Sequence, residues 1–202
     1  MRRPETASTR FIRLSDVEAT PWKNDGGVTR EIATGVSLDS KVEWGWRFSI
    51  ANVDQGGPFS LFPGIDRFIA VIDGDGMDLV RDNGSTIALD PFQPVAFSGD
   101  DILVGHLRDG PVRDLNVMVQ RNDFESTLDI QYGPQVYSVE PLIGGTHIFH
   151  TLFGHCAVRT TGSESHNLAT SDTLILEGQD VTHVQIHEGS RVAAVRIRQH
   201  AQ

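Results

Sequence analysis

Trp44-Gly45-Trp46-Arg47-Phe48-Ser49-Ile50-Ala51 carries a large apolar side chain at every second position up to Ile50, with Gly45, Arg47 and Ser49 between them. Period-two alternation puts successive side chains on opposite faces of an extended backbone, so the stretch reads as a β-strand. Shorter β-rich runs follow at 68–72, 86–89, 95–97, 102–104 and 115–119, separated by Gly, Pro, Asp and Asn. Twenty glycines and nine prolines punctuate the chain at this spacing, the pattern of an all-β barrel or sandwich. Helical turns are expected only at 16–20 or 124–128.

The chain repeats itself. Phe68-Ile69-Ala70-Val71-Ile72-Asp73-Gly74 lies over Ile148-Phe149-His150-Thr151-Leu152-Phe153-Gly154, and Ala96-Phe97-Ser98-Gly99-Asp100-Asp101 lies over Ile175-Leu176-Glu177-Gly178-Gln179-Asp180. Gly110 with the strand to Met118 lies over Gly189 with the strand to Ile197, and the offset stays at about eighty residues. Two similar barrels are expected, with a changeover at 134–145. The predicted organisation is a disordered tail over 1–10, a first barrel with the pocket over 11–133, and a second over 134–202 completed by strands shared with the first.

Composition bounds the function. The 202 residues are 39 % apolar with three Trp and ten Phe, enough for a packed core. No apolar run reaches the ~18 residues of a membrane helix, and the first ten residues lack the apolar stretch of a secretory signal. A net charge of −10 disfavours nucleic acid, which calls for a basic face. One cysteine, Cys156, rules out an intrachain disulfide and fits a reducing cytoplasm. It reads as a small core residue.

Against that acidic background, cations gather in the first third of the chain. Thr20-Pro21-Trp22-Lys23-Asn24-Asp25-Gly26-Gly27-Val28-Thr29-Arg30-Glu31-Ile32 packs a ring, an amide and two cations around a glycine turn. It reads either as a hairpin with a Trp packed on it or as part of a small-molecule site. With Arg47 and Arg67, it offers local positive charge for a carboxylate ligand.

Arg196 and Arg198 must reach water, so Ala193, Val195 and Ile197 are expected to face the interior of the second barrel. Their counterparts are Asp114, Asn116 and Met118. A carboxylate and an amide on an inner strand make sense if they hold Arg67, Arg47 or a ligand, because unpaired buried polar groups cost about 1–3 kcal/mol each. A purely structural Arg–Asp pair stays open.

The turn at Pro21-Trp22-Lys23-Asn24 with Thr29-Arg30-Glu31-Ile32, the 44–51 strand, Gly57-Pro58-Phe59-Ser60-Leu61-Phe62-Pro63-Gly64-Ile65-Asp66-Arg67 and Asp114-Leu115-Asn116-Val117-Met118 together resemble the HutD/Ves family over roughly residues 11–198. The resemblance implies a bicupin, two double-stranded β-helix (jelly-roll) barrels in one chain. It also implies a connection to histidine utilisation, whose intermediates include urocanate and N-formylglutamate. Asp25 stands where the family more often has a third glycine. Metal-binding cupins resemble one another in a His-x-His-x4-Glu-x6-Gly run. Counting back from Gly74, Arg67 takes the glutamate position, and Phe62 and Ser60 take the histidine positions. A guanidinium cannot ligate a metal, so no metal and no cofactor is expected in the first barrel. His183 and His187 read as solvent-facing, and His147 and His150 as lying on opposite strand faces.

The sequence therefore predicts a cytoplasmic, metal-independent protein binding a small carboxylate through Trp22, Lys23, Asn24, Arg30, Arg47, Ser49, Phe59, Ser60, Arg67, Asp114, Asn116 and Met118. Sensing or modulation of histidine utilisation is the leading role. Asp114 and Asn116 would orient the arginines or accept a ligand N–H. The alternatives are a metal-free isomerase or hydrolase of a small acid with Lys23 or Asp114 as general base, and a structural or partner-binding module. No nucleic-acid or membrane partner is expected, and homodimerisation stays open.

Overall fold

A computed structural model describes residues 8–38, 42–161, 165–178 and 182–201. The alternating run at 44–51 becomes the strand Trp46–Val53, and the other expected strands appear as Ile65–Asp73, Thr86–Leu89, Val95–Ser98, Leu103–Leu107 and Val112–Gln120. Among the described residues there is no α-helix, and Leu14–Asp16 forms one 3-10 turn, slightly ahead of the turn expected at 16–20. The helical turn expected at 124–128 is part of the strand Phe124–Tyr132. Phe124 and Leu128 are buried and Glu125 and Thr127 exposed, so a spacing of four that fits one helical face fits one strand face equally. No helix among the described residues is long and apolar enough to cross a membrane.

The chain divides into two compact units, Val17–Glu125, and Met1–Asp16 with Ser126–Gln202. The first unit holds a six-stranded sheet in the order Ala19–Pro21, Gly27–Gly35, Trp46–Val53, Val112–Gln120, Ile65–Asp73 and Val95–Ser98. Its second sheet runs Gly57–Pro58, Leu103–Leu107, Met77–Arg81 and Thr86–Leu89. Val53, Ile69, Val71 and Val112 of one sheet meet Met77, Leu79, Leu89 and Leu103 of the other in one core. Each such side chain contributes about 1.5–3 kcal/mol on full burial. The other face of the six-stranded sheet carries Phe48, Ile50, Leu115 and Val117, all buried.

The second unit has the same plan. Ser8–Arg13, Asp172–Glu177, Gly145–Phe153, Arg191–Gln199 and Phe124–Tyr132 form one sheet in that order. Gln135–Val139, Thr182–Ile186, His155–Thr160 and Ser165–Ala169 form the other. The repeat read from the sequence is present as pairing: Ile65–Asp73 lies between Val95–Ser98 and Val112–Gln120, and Gly145–Phe153 between Asp172–Glu177 and Arg191–Gln199. Gly74 and Gly154 close corresponding strands with φ of 93° and 79°. A Cβ on Gly74 would come within 2.7 Å of the Pro111 carbonyl oxygen, so glycine is required there. Gln179 and Asp180, used in the sequence alignment of the repeat, lie outside the described residues.

Three expectations differ from the structure. Residues 1–7 of the expected tail lie outside the described residues, but Ser8, Thr9 and Arg10 belong to a strand paired with Asp172–Glu177, where Arg10 meets Glu177 at 3.2 Å. The strand Phe124–Tyr132 joins the second unit's sheet, so that unit takes in chain ahead of Pro134. In the strand Arg191–Gln199 it is Val192 and Ala194 that pack on the second unit's core, while Ala193, Val195 and Ile197 are buried on the opposite face. Arg196 and Arg198 reach water from the same side as Val192, beyond the apolar core, so their exposure does not mark the outer face.

Candidate functional site

Antiparallel pairing arranges one face of the six-stranded sheet as a lattice. Met118 stands between Arg47 and Arg67, Asn116 between Ser49 and Ile69, and Asp114 between Ala51 and Val71. Glu31 extends the middle row beside Ser49, and Thr29 the last row beside Ala51. The lattice thus grades along the strands from a cationic row through an amide row to a row that joins the apolar core. Two bulges set this register, between Glu31 and Ala33 and between Arg113 and Asp114. Bulges of this kind re-aim side chains beside functional sites.

A cavity of about 590 Å³ opens over this face, a size that suits a small organic ligand. Trp22, Lys23, Asn24, Glu31, Arg47, Ser49, Phe59, Ser60, Phe62, Arg67, Asp114 and Asn116 line it together with Thr20, Pro21, Thr29, Ala51 and Pro58. The glycine turn holds the rim. Trp22 N–H donates to the Gly27 carbonyl at 2.9 Å, Asp25 N–H to the Trp22 carbonyl at 3.1 Å, and Trp22 Nε1 to Thr29 Oγ1 at 2.7 Å. Asp25 takes φ of 54°, which aspartate tolerates better than most residues.

Arg67 is 6 % exposed. Its Nε and Nη2 donate to Asn116 Oδ1 at 3.3 and 3.2 Å, and Asn116 Nδ2 donates to Asp114 Oδ1 at 3.4 Å. Its guanidinium carbon lies 4.8 Å from the Phe97 ring centroid, 5.5 Å from Phe62 and 5.7 Å from Phe59. Arg47 lies against the other side of the group, 5.4 Å from Phe62 and 5.5 Å from Trp44. Arg47 Nη2 contacts Met118 Sδ at 3.3 Å, and its Nε is buried with no hydrogen-bond partner among the described residues. No described carboxylate lies within ion-pair distance of either arginine.

Burial lowers the Arg67 pKa to about 10, with Asp114 pulling it back up and Arg47 adding to the fall. Burial also lowers Arg47, against the pull of Glu31 and Glu43. Asp114, 2 % exposed, is pushed up to about 6 by desolvation, which the hydrogen bond from Asn116 and the charge of Arg67 only partly offset. Cations that are desolvated and turned toward a cavity without a carboxylate in ion-pair contact are suited to bind an anion.

The structure brings ten of the twelve expected residues to the cavity. Arg30 is not among them: Thr29 and Glu31 line the cavity, so Arg30 between them projects from the opposite face. Met118 is fully buried beneath the arginines and spaces them without reaching the cavity surface. Glu31 is the charged residue that sequence reading missed, although its parity with Thr29 marked its face. Sequence marks Phe62 only as standing in a cupin histidine position, because its place between two guanidinium groups depends on the loop ahead of Ile65. Ser60, Phe62 and Arg67 all line the cavity, as their alignment with cupin ligand positions implies.

Elsewhere, no cluster of three His, Cys, Asp or Glu side chains able to hold a metal occurs among the described residues. His183 and His187 are exposed. His147 donates to the Glu140 carbonyl at 3.3 Å, while His150 Nδ1 lies 2.8 Å from Thr173 Oγ1, on the other strand face. Cys156 is buried and its thiol is pushed up to about 12.

The chain is similar to known proteins in sequence and in fold. The chain is 36 % identical over 173 residues to an uncharacterised 21.2 kDa protein in the hutC 3′ region of Pseudomonas putida, covering 84 % of this chain and 87 % of that one. The structure of HutD from Pseudomonas fluorescens SBW25, formate condition, superposes with a TM-score of 0.83 at 29 % identity over 96 % of this chain and all of that one. A cupin 2 conserved barrel protein from Leptotrichia buccalis shares the fold alone, at a TM-score of 0.60 and 10 % identity over 95 % and 96 % of the two chains. The HutD family model matches residues 14–194. The chain belongs to the HutD family.

Proposed function

We propose that this protein is a metal-independent bicupin whose first barrel binds a small carboxylate between Arg67 and Arg47, and that it serves histidine utilisation as an accessory or regulatory protein. The observation that carries the reading is the pair of desolvated guanidinium groups on one cavity, neither in ion-pair contact with a described carboxylate. Lys23 adds charge at the rim, and Trp22 and Phe59 cover the ligand. The repeated pairing supports the two-barrel description, and the Pseudomonas putida relative's place in the hutC 3′ region supports the pathway. Urocanate and N-formylglutamate are the leading candidates, and the free Cys156 fits a reducing cytoplasm.

A bidentate arginine–carboxylate contact contributes about 1.5–3 kcal/mol. Arg67→Met therefore weakens binding of the acid tenfold or more, whereas Arg159→Met, exposed in the second unit, leaves it unchanged. Titration calorimetry with urocanate, N-formylglutamate and glutamate checks this. Equal loss in both variants, or no heat with any acid, returns the module to a structural role. A second reading, an isomerase or hydrolase of such an acid, is favoured by one observation: Asp114 titrates near 6 in the cavity floor, where a general base is effective. Turnover of the bound acid separates the two.

A further inference from the structure

Asp114 has an oxygen to spare. Its Oδ1 accepts from Asn116, and its Oδ2 takes no hydrogen bond from any described residue, although Asp114 is only 2 % exposed and lines the cavity. A buried carboxyl in that condition ordinarily acquires a donor. The donor is not Arg67: Asn116 stands in the row between them, and no nitrogen of Arg67 comes within ion-pair distance of Asp114. The neighbours of Asp114 in its own row, Ala51 and Val71, have no polar side-chain atoms. A ligand is the group placed to supply the donor.

The lattice also fixes where that donor must lie. Arg67 and Asp114 are separated along the sheet face by the Asn116 row, and Asn116 spans them with one primary amide, its oxygen toward the arginine and its nitrogen toward the acid. A ligand lying beside Asn116 meets the same demand: acceptor atoms at the cationic row, a donor hydrogen at the Asp114 row. Glu31, at the other end of the Asn116 row, strengthens the preference for a donor on that part of the ligand. Trp22, Phe59 and Phe62 offer flat apolar walls to whatever lies between.

Resting on the carboxylate-binding reading above, we infer that the pocket selects acids that carry an N–H donor a few bonds from the carboxylate, and that Asp114 is the residue that enforces the selection. A simple acid without the donor covers Asp114 Oδ2 and gives it no partner. A site built to accept an N–H rejects the isostere that lacks it far more strongly than a change of one methylene.

Matched amide and ester acids test this, since they share size and charge and differ only in N–H against O. The probes are N-acetylglycine against acetoxyacetate and hippurate against benzoyloxyacetate, titrated at pH 7.5 into the wild-type chain and Asp114→Val. The variant preserves packing, because the second unit places Val192 at the corresponding site. The expected result is a preference for each amide of about tenfold or more in the wild type, falling below about twofold in Asp114→Val. Equal binding of amide and ester by the wild type overturns the inference and leaves the arginine site standing. An amide preference that survives in Asp114→Val assigns the selection to another residue and also overturns it. Failure of all four acids and of formate to bind removes the carboxylate site itself.

Discussion

At the scale of single residues, Asp114 is a carboxylate whose burial opposes its charge. A carboxyl held at about 6 when its ordinary value is 3.8 favours the neutral form by about 3 kcal/mol. Its raised native value gives the sign of the pH effect. Between about pH 4 and pH 6 the folded chain holds a proton that the unfolded chain has released. This contribution is complete below pH 4 and is lost as pH rises through 6. At pH 7.5 Asp114→Val is therefore more stable than the wild type by up to about 3 kcal/mol, and the advantage shrinks as pH falls toward 4. Urea denaturation of both proteins across that range checks the difference, and an advantage independent of pH would show that Asp114 is not strained by desolvation. Asp114 was legible from sequence because a charge stood where strand alternation demanded an inward side chain. Its lack of a direct ion pair was not legible, since that depends on Asn116 taking the arginine's hydrogen bonds.

At the scale of elements, strand parity decided what the sequence could reveal. Arg47, Ser49, Arg67, Asp114 and Asn116 share a face, and alternation within each strand was enough to group them. The turn motif as a unit suggests Arg30 for the cavity, but its neighbours Thr29 and Glu31 fix it on the opposite face. The strand Arg191–Gln199 was read one residue out of phase, because two arginines were assumed to reach water only from the outside. The turn itself depends on Gly27, where an ideal Cβ would fall 2.2 Å from the Asn52 carbonyl oxygen. That oxygen belongs to the neighbouring strand and cannot move away without breaking the ladder. Gly27→Ala should cost about 2–4 kcal/mol and weaken the proposed acid binding by displacing Trp22 and Lys23. Gly26→Ala, whose Cβ meets only the Asn24 side chain at 3.3 Å, should cost much less. Thermal denaturation of the two variants distinguishes a motif constrained by backbone from one that merely prefers small residues.

At the scale of the whole molecule, the repeat gives the chain two sheet pairs with different interiors. The second unit fills its centre with Phe149, Val192 and Ala194, while the first places Asn116 and Asp114 on the corresponding strand. Every residue lining the large cavity comes from Val17–Glu125. Phe149→Ala should destabilise the protein by about 3–5 kcal/mol through cavity formation, yet leave the affinity of the folded molecule for the proposed acid within about twofold. Calorimetric titration below the unfolding transition, beside a denaturant curve, measures both quantities on one sample. The repeated architecture was legible from a constant offset of glycine-bounded strands. The exchange of the Ser8–Arg13 strand into the later unit was not, because a short, charge-flanked segment gives no sign of which edge it will cover.

The amide of Asn116 has a further consequence as an electrical insulator. Were Arg67 and Asp114 in direct contact, they would discharge onto one another and leave the cavity floor electrically quiet. With a neutral group set between the poles, the arginine stays short of counter-charge and the acid stays short of a donor. The floor therefore behaves like a charged capacitor: the field is maintained by a spacer one residue wide, and a molecule that bridges both poles releases the stored energy as affinity. Neutrality at a single side chain, more than the charges on either side of it, is what keeps this surface ready to act.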